Sequence, residues 1–489
     1  MLPILFVSHN ASRTGAPTVL LHLCRWLSHR GRPFEVLLGD GGDLTAQFDA
    51  IGPTTVLGML AEPSQALERL SRLAQRVKAH EFAVVYGNTV ESADIVTSVA
   101  DTATPVLTHV HELGFWIEHH TTRARFDRLH ACTDTFVAVS RAVRRHLTDV
   151  LHVEGDAVAL VHECIDTARW SAGAHDLHSA RASLGIAASA AVVVAAGTLD
   201  WRKGPDLFVQ AAGAVRRLAP HHDVHWVWIG GQKGGRHVAA LRHDAARLGV
   251  TDSLHIVGDR EDPAPLLRAG DIFVSTSRED PFPLVTLEAA AVGMPVICFQ
   301  DAGGAEEFVD DDAGFVVPYL DVDTMARRIV ALVDDPDRRA ACGTRARTKV
   351  RERHDVAVTM PVLVDVIDRT IAAGPTPARL ARQDVMGPAT LAGPGHGFDA
   401  GLLALYRLAS ARAAAGEVVR ARVAFEMIAD EAKGADPDLA GKAWYKAATL
   451  AGDPGDVRRC CERALAALPT HRAARALLDR LDAGHHVHG

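Results

Sequence analysis

The chain has 489 residues, 48% of them hydrophobic, and a formal net charge of −8, enough length for two or three domains with sizeable cores. A net negative chain without a dense Lys/Arg run excludes a nucleic-acid protein and limits membrane contact to a peripheral one. Seven cysteines (Cys24, Cys132, Cys164, Cys298, Cys342, Cys460, Cys461) are an odd number without a CxxC pair and read as reduced core residues of a cytoplasmic protein.

The apolar start Met1–Val7 has no positive n-region and turns polar at Ser8-His9-Asn10, so it reads as a first strand rather than a signal peptide. No apolar run approaches the ~20 residues that cross a bilayer as a helix. From there to about Asp166, β-type runs at Ile4–Val7, Phe34–Leu38, Phe82–Tyr86, Pro105–Thr108, Thr135–Val139 and Val158–Val161 alternate with helical stretches, which predicts a doubly wound parallel sheet. After a Ser/Ala/Gly/His-rich linker near Ser171–Ala180 the alternation restarts at Ala191–Ala196. It continues through Val224–Ile229, Leu254–Val257, Ile272–Ser275, Val296–Phe299 and Phe315–Val317, a second Rossmann-like domain.

Beyond this the strands stop. Asp355–Ala373 reads as one helix, and the prolines and glycines from Gly374 to Gly401 read as a linker. From Leu402 to Leu481 an Ala/Arg/Leu-rich segment is broken at Ala415-Gly416, Gly434–Asp438, Gly452–Gly455 and Pro469, giving helix pairs at roughly the 34-residue period of a tetratricopeptide array. The terminal Gly484–Gly489 contains three histidines; a frayed end is favoured over a metal site.

Acidic side chains and backbone amides converge at one strand-to-helix corner, Ser277-Arg278-Glu279-Asp280-Pro281-Phe282-Pro283-Leu284-Val285-Thr286-Leu287-Glu288, the place where an open α/β sheet binds ligands. Glu288 stands among small and apolar residues, where an acid is costly without hydrogen-bond partners; a buried salt bridge is the bland reading. Spacing alone leaves open whether Glu279 or Asp280 faces a ligand. Pro281 and Pro283 have no N–H, so the amides of Leu284 and Val285 are the ones available. A second corner, Ala196-Gly197-Thr198-Leu199-Asp200-Trp201-Arg202-Lys203-Gly204, opens the helix Pro205–Val215. Two cations at a helix start sit at the unfavourable end of the dipole unless an anion is bound there.

In the first domain, Ser12-Arg13-Thr14-Gly15-Ala16-Pro17 joins strand to helix, with Gly15 allowing close backbone approach and Pro17 suiting the first turn. His109 and His111 have the H-x-H spacing of zinc ligands but lack an obvious third ligand, though His119-His120 are nearby. Asp321-Val322-Asp323 imitates a metal-binding Asp-x-Asp motif but precedes the helix Thr324–Val333, where aspartate is an ordinary N-cap.

These motifs, in this order over about residues 2–372, resemble the retaining family-four (group 1) glycosyltransferases. Asp280 and Glu288 fall on that family's acid-x7-acid signature, Lys203 on its Lys-Gly lysine, Ser12–Pro17 on its Gly-rich first loop, and Asp301–Glu307 on its Gly-Gly loop. The resemblance implies a GT-B fold, two Rossmann-like domains facing a cleft. The acceptor-side domain spans 1–170 and the nucleotide-sugar domain 185–354. A helix over 355–373 crosses back, a linker occupies 374–401 and an all-α helical-repeat appendage occupies 402–482. It also implies metal-independent, retaining transfer from a nucleotide sugar, UDP-sugar by base rate, to a hydroxyl acceptor, with no cofactor. Asp280 and His111 would act on the reacting sugar, and Glu288 would hold the ribose. Arg202, Lys203 and the amides of Leu284 and Val285 would hold the diphosphate, with Gly15 and Ala16 facing phosphate or acceptor. His109 is structural in this reading.

The sequence departs from the family at Thr198, where an arginine is usual and Arg202 is expected to replace its charge, and at Pro281 and Pro283, where glycines are usual. A GT-B nucleotide-sugar 2-epimerase and a catalytically silent sugar-nucleotide sensor remain rivals. Residues 402–482 are expected to recruit a protein partner or a second subunit.

Overall fold

The computed structural model describes residues 1–59, 63–121, 123–171, 177–232, 234–383, 405–406, 409–410, 413, 418–432 and 436–482. Two parallel sheets carry the architecture. The first contains β1 (Ile4–Ser8), β2 (Phe34–Leu38), β3 (Thr54–Val56), β4 (Val84–Asn88), β5 (Val106–Val110), β6 (Thr135–Ala138) and β7 (Val158–Leu160), in the order β3-β2-β1-β4-β5-β6-β7. The second contains β8 (Ala191–Ala196), β9 (Val224–Ile229), β10 (Leu254–Gly258), β11 (Ile272–Ser275), β12 (Val296–Phe299) and β13 (Gly314–Val317), in the order β10-β9-β8-β11-β12-β13.

All twelve expected strands form, because continuous β-branched and aromatic runs suit strands covered on both faces. Among the described residues, β3 alone escaped the sequence. It is a three-residue, half-buried edge strand behind Gly52-Pro53. Phe6 packs edge-on against Tyr86 at 5.0 Å and Phe34 at 5.8 Å in the first sheet. In the second, Phe208 of the helix Pro205–Leu218 sits 5.2 Å from Trp226 and 5.5 Å from Trp228. Each sheet reverses its winding once, between β1 and β4 and between β8 and β11. A doubly wound sheet opens a crevice at the carboxyl ends of such strand pairs.

The compact units divide differently from the expected domains. One comprises 1–109, 118–136 and 367–489; the other comprises 110–117 and 137–366. The segment after β7 is tied into the second unit by its backbone: Ile165 N donates to His354 O and Val356 N to Ile165 O, at 2.9 and 3.0 Å. The helix Val356–Ala373 forms as expected, with Pro361 inside it, and the chain passes from one unit to the other within it.

The expected linker 374–401 starts too early. Residues 377–383 are helical, and Arg379 there is fully buried, pairing with Asp134 at 2.6 Å and donating to the carbonyl of Thr104 at 2.9 Å. Pro375 precedes that helical turn and Pro377 opens it, the position where proline is tolerated. The remainder of that linker, from 384, and the terminal 484–489 histidines lie outside the described residues. In the expected linker near 171–180, residues 172–176 lie outside them too, and Leu177–Ser183 is helical.

The appendage forms helices at Val418–Ala432, Pro437–Thr449, Pro454–Ala467 and Arg472–Asp482, in pairs close to the expected ~34-residue period. Asp436-Pro437 and Asp453-Pro454 start two of them, the aspartate capping backbone amides and the proline filling the first turn. These helices group with the first unit rather than forming a third, and Val418–Ala432 meets the Pro63–Lys78 helix there. Among the described residues no helix is long and apolar enough to cross a membrane.

Candidate active site

The second sheet's reversal point carries both sequence corners. The loop after β8 makes a tight turn, Trp201–Lys203, capped by Asp200, which accepts from Lys203 N at 3.0 Å. Thr198, in the position where an arginine is usual, hydrogen-bonds Asp200. Gly204 follows at φ 66°, and a Cβ there would stand 2.1 Å from the carbonyl oxygen of Thr276 at the end of β11. Only glycine permits that approach.

Lys203 thereby reaches across the crevice, its Nζ 2.5 Å from Asp280 Oδ2, with side chains 16% and 8% exposed. Burial pushes the lysine pKa down, and Asp280 opposes that shift. Arg202 donates to the carbonyl oxygen of Glu279 at 3.1 Å and lies over the Trp116 ring at 5.5 Å. Its carbonyl accepts from Arg278 N. Arg278, which the sequence reading passed over, grips Asp206 through two bonds of 2.9 and 2.7 Å.

The two adjacent acids that spacing left open separate in space. Glu279 accepts from the amides of Phe115 at 2.9 Å and Trp116 at 3.3 Å. Burial raises its pKa against those bonds. Asp280 is the acid that faces Lys203, and Ser277 Oγ lies 3.4 Å from the same oxygen. The Gly303-Gly304 loop docks beneath them. Asp280 N donates to Ala302 O at 2.7 Å and Gly304 N to Asp280 O at 3.1 Å.

The helix Leu284–Ala291 begins after Pro283 with no side-chain cap and no acid in its first turn, so the Leu284 and Val285 amides sit at an uncapped, electropositive end. Farther along, Glu288 is half-buried; its carbonyl oxygen accepts from Val292 N at 3.2 Å, and its carboxyl makes no hydrogen bond among the described residues. Burial pushes its carboxyl up to about 7, with Arg169 pulling the other way.

His111, after β5, enters this unit with 110–117. Its Nδ1 is 2.6 Å from Glu163 Oε1, with both side chains almost fully buried. His162 meets Glu307 at 2.9 Å, and Glu307 also accepts from Ala142 N at 3.1 Å. Burial opposes ionisation of Glu307, yet those bonds hold its carboxyl below the ordinary range. His109 is buried against Tyr86 OH at 2.6 Å, a structural contact. Asp321 caps its helix, accepting from Thr324 N at 2.8 Å. Among the described residues no group of three or more His, Cys, Asp or Glu side chains is arranged to hold a metal.

Gly15 and Ala16 lie in the first unit. They open the helix Gly15–Ser28 behind an extended Thr14 that makes no side-chain cap. That unit's own reversal point, between β1 and β4, also carries Thr89 at φ 80° and ψ 153°, a conformation nearly confined to glycine and met mostly at functional sites.

Residues 13–169 match the family described as Glycosyltransferase Family 4, and residues 190–335 that described as Glycosyl transferases group 1. A GDP-mannose-dependent alpha-(1-6)-phosphatidylinositol monomannoside mannosyltransferase of Mycolicibacterium smegmatis is 30% identical over 312 residues, 60% of this chain and 77% of that protein. A D-inositol 3-phosphate glycosyltransferase of Nocardia farcinica is 31% identical over 218 residues, 44% of this chain and 48% of that protein. Among solved structures, Anabaena Alr3699/HepE in complex with UDP has a TM-score of 0.65 at 22% identity, covering 75% of this chain and all of that one. The fold is GT-B, and the chain belongs to the group 1 glycosyltransferases.

Proposed function

We propose that this glycosyltransferase moves a hexosyl group from a nucleoside-diphosphate sugar to a hydroxyl acceptor with retention at the anomeric carbon, without a metal ion. The observation that carries the reading is the Lys203–Asp280 pair at the sheet reversal point, with Arg202 beside it and an uncapped helix start at Leu284. A leaving diphosphate needs fixed positive charge where its own charge grows, and two cations plus helix amides supply it. In the closed pair Lys203 neutralises Asp280. When diphosphate arrives the ammonium turns to it, and Asp280 becomes available to sugar hydroxyls.

Glu288 accepts from the ribose hydroxyls, the hydrogen bonds its carboxyl lacks among the described residues. His111 stands against the reacting sugar. The acceptor oxygen attacks C1 on the face that the leaving group departs from: the C1–O(phosphate) bond breaks, the C1–O(acceptor) bond forms, and the acceptor proton passes to the leaving phosphate oxygen. No protein general base is required. The capping role of Asp321 supports a reading without an Asp-x-Asp metal site. The expectation of a UDP-sugar rests on base rate, whereas the M. smegmatis relative is named for GDP-mannose, so GDP-mannose stands first among donors to try.

The test is to offer GDP-mannose, UDP-glucose and UDP-N-acetylglucosamine with hydroxyl acceptors and follow the anomeric protons by NMR. An α-linked product from an α-linked donor supports the proposal, whereas an inverted product refutes retention. Isomerised nucleotide sugar without acceptor would make the protein an epimerase. Nucleotide binding without turnover on any acceptor would make it a sensor.

A further inference from the structure

Two consecutive residues after β7, His162 and Glu163, send their side chains to different partners, Glu307 and His111. Glu163 is held from several directions. Its carbonyl oxygen accepts from His354 Nδ1 at 2.9 Å, and the neighbouring backbone pairs with 354–356 through Ile165. His354 is buried among Phe282, Phe308 and His162, at ring distances of 5.3, 5.6 and 5.8 Å. Burial drives its pKa down to about 4, so it stays a neutral Nδ1–H donor across the working range. The bond from His354 to the Glu163 carbonyl therefore persists through neutral pH.

We propose that Glu163 is a positioning residue for His111, fixing the ring as the Nδ1–H tautomer with Nε2 as the hydrogen-bond acceptor toward substrate hydroxyls. A carboxylate 2.6 Å from Nδ1 accepts that nitrogen's proton as a hydrogen bond, and the partner of one ring nitrogen dictates the state of the other. An unsupported imidazole would exchange tautomers and rotate, spending part of its time with an N–H where a lone pair is needed. With both side chains buried, the bond is shielded from water and keeps its strength. This rests on the proposed function for the meaning of His111, but the tautomer itself does not depend on it.

The test pairs spectroscopy with kinetics on the full chain. Histidine-selective 15N labelling, with His111 assigned by the loss of its signals in His111→Gln, reads the tautomer in the absence of substrate. An Nδ1–H signature in the native protein that is lost in Glu163→Leu is the expected result; an Nε2–H signature in the native protein overturns the proposal. In the activity arm, Glu163→Gln keeps an acceptor oxygen but loses its charge. Its kcat should fall by about 10- to 150-fold, the range for a lost charge-assisted hydrogen bond. Donor KM should stay near the native value, with Glu163→Asp recovering part of the rate. Equal losses in kcat and KM together with a lowered melting temperature would mean a merely structural Glu163. If no nucleotide sugar is turned over by the native protein, the functional reading fails while the tautomer measurement still decides this one.

Discussion

Replacing Lys203 by methionine tests the donor site most sharply, because the structure fixes two consequences with different readouts. Methionine keeps the stem that packs over Gly197, where Lys203 carbons lie 3.1–3.5 Å from the position of an added Cβ, and removes only the charge. In the free protein Asp280 then loses its ion pair at a site where its side chain is 8% exposed. Breaking a buried pair by removing one partner costs about 3–5 kcal/mol; the partly exposed lysine puts this one at the low end. Ser277, at 3.4 Å, compensates poorly. In binding, loss of a charge-assisted bond to phosphate costs roughly 1.5–3 kcal/mol, or about 10- to 150-fold in Kd, and the bare Asp280 adds repulsion. Calorimetry with UDP and GDP reads the second effect and thermal melting the first. Adding Asp280→Asn should restore stability without restoring affinity, since it removes the orphaned charge but supplies no cation. Native nucleotide affinity in Lys203→Met would place the diphosphate elsewhere and refute the assignment.

Three further outcomes follow from the same structure. The raised pKa of Glu288, about 7 against 4.5, means that the folded chain holds this proton more tightly than the unfolded one. The stabilisation is complete below about 4.5 and is lost as pH rises through about 7. Urea melts at about pH 5 and pH 8 should show Glu288→Gln with the weaker pH dependence and the higher relative stability at the alkaline end; parallel curves would contradict the shift. Transfer should survive EDTA without added magnesium or manganese, and strict dependence on either ion would reverse the metal-free proposal. Ending the chain after Gln383 should leave nucleotide affinity intact, whereas ending it after Gly374 removes Arg379 and strands the buried Asp134, costing about 3–5 kcal/mol. Equal melting temperatures for the two truncations would show that the Arg379 anchor contributes nothing.

The strands were legible because each is a run of apolar residues with turn residues at its ends, and that pattern survives without knowledge of neighbours. Helix starts were legible for a similarly local reason: Asp321 is its helix's cap, as expected. Contacts between distant segments left no such mark. Glu163 and His111 lie 52 residues apart, and neither has a spacing that points to the other. Position gave no signal either, since His162-Glu163 follow β7, the edge strand of the first sheet, away from its reversal point. Arg379 was hidden by composition. A stretch rich in proline and glycine reads as linker, and a buried arginine announces itself only through the carboxylate it meets.

The same limit explains what the sequence could and could not tell about the Lys203–Asp280 corner. Lys203, Asp280 and the glycines around them were visible as residue types at family spacings, but the reason that the lysine reaches the aspartate lies in backbone packing. Gly204 leaves no room for a Cβ beside Thr276, and one on Gly303, at φ 128°, would fall 1.8 Å from the Asp280 carbonyl oxygen. These two close approaches bring the β8 loop and the Gly-Gly loop onto the end of β11 from opposite sides, so the ammonium and the carboxylate meet without a long flexible search. Proline at 281 and 283 stiffens the stretch between Asp280 and the helix that follows, since it fixes φ and removes two amides that could bend toward other acceptors. With proline at both positions, the free amides at the start of the helix Leu284–Ala291 are those of Leu284 and Val285. The two prolines and the two close glycine approaches therefore act alike, fixing the backbone from which the Lys203 and Asp280 side chains meet.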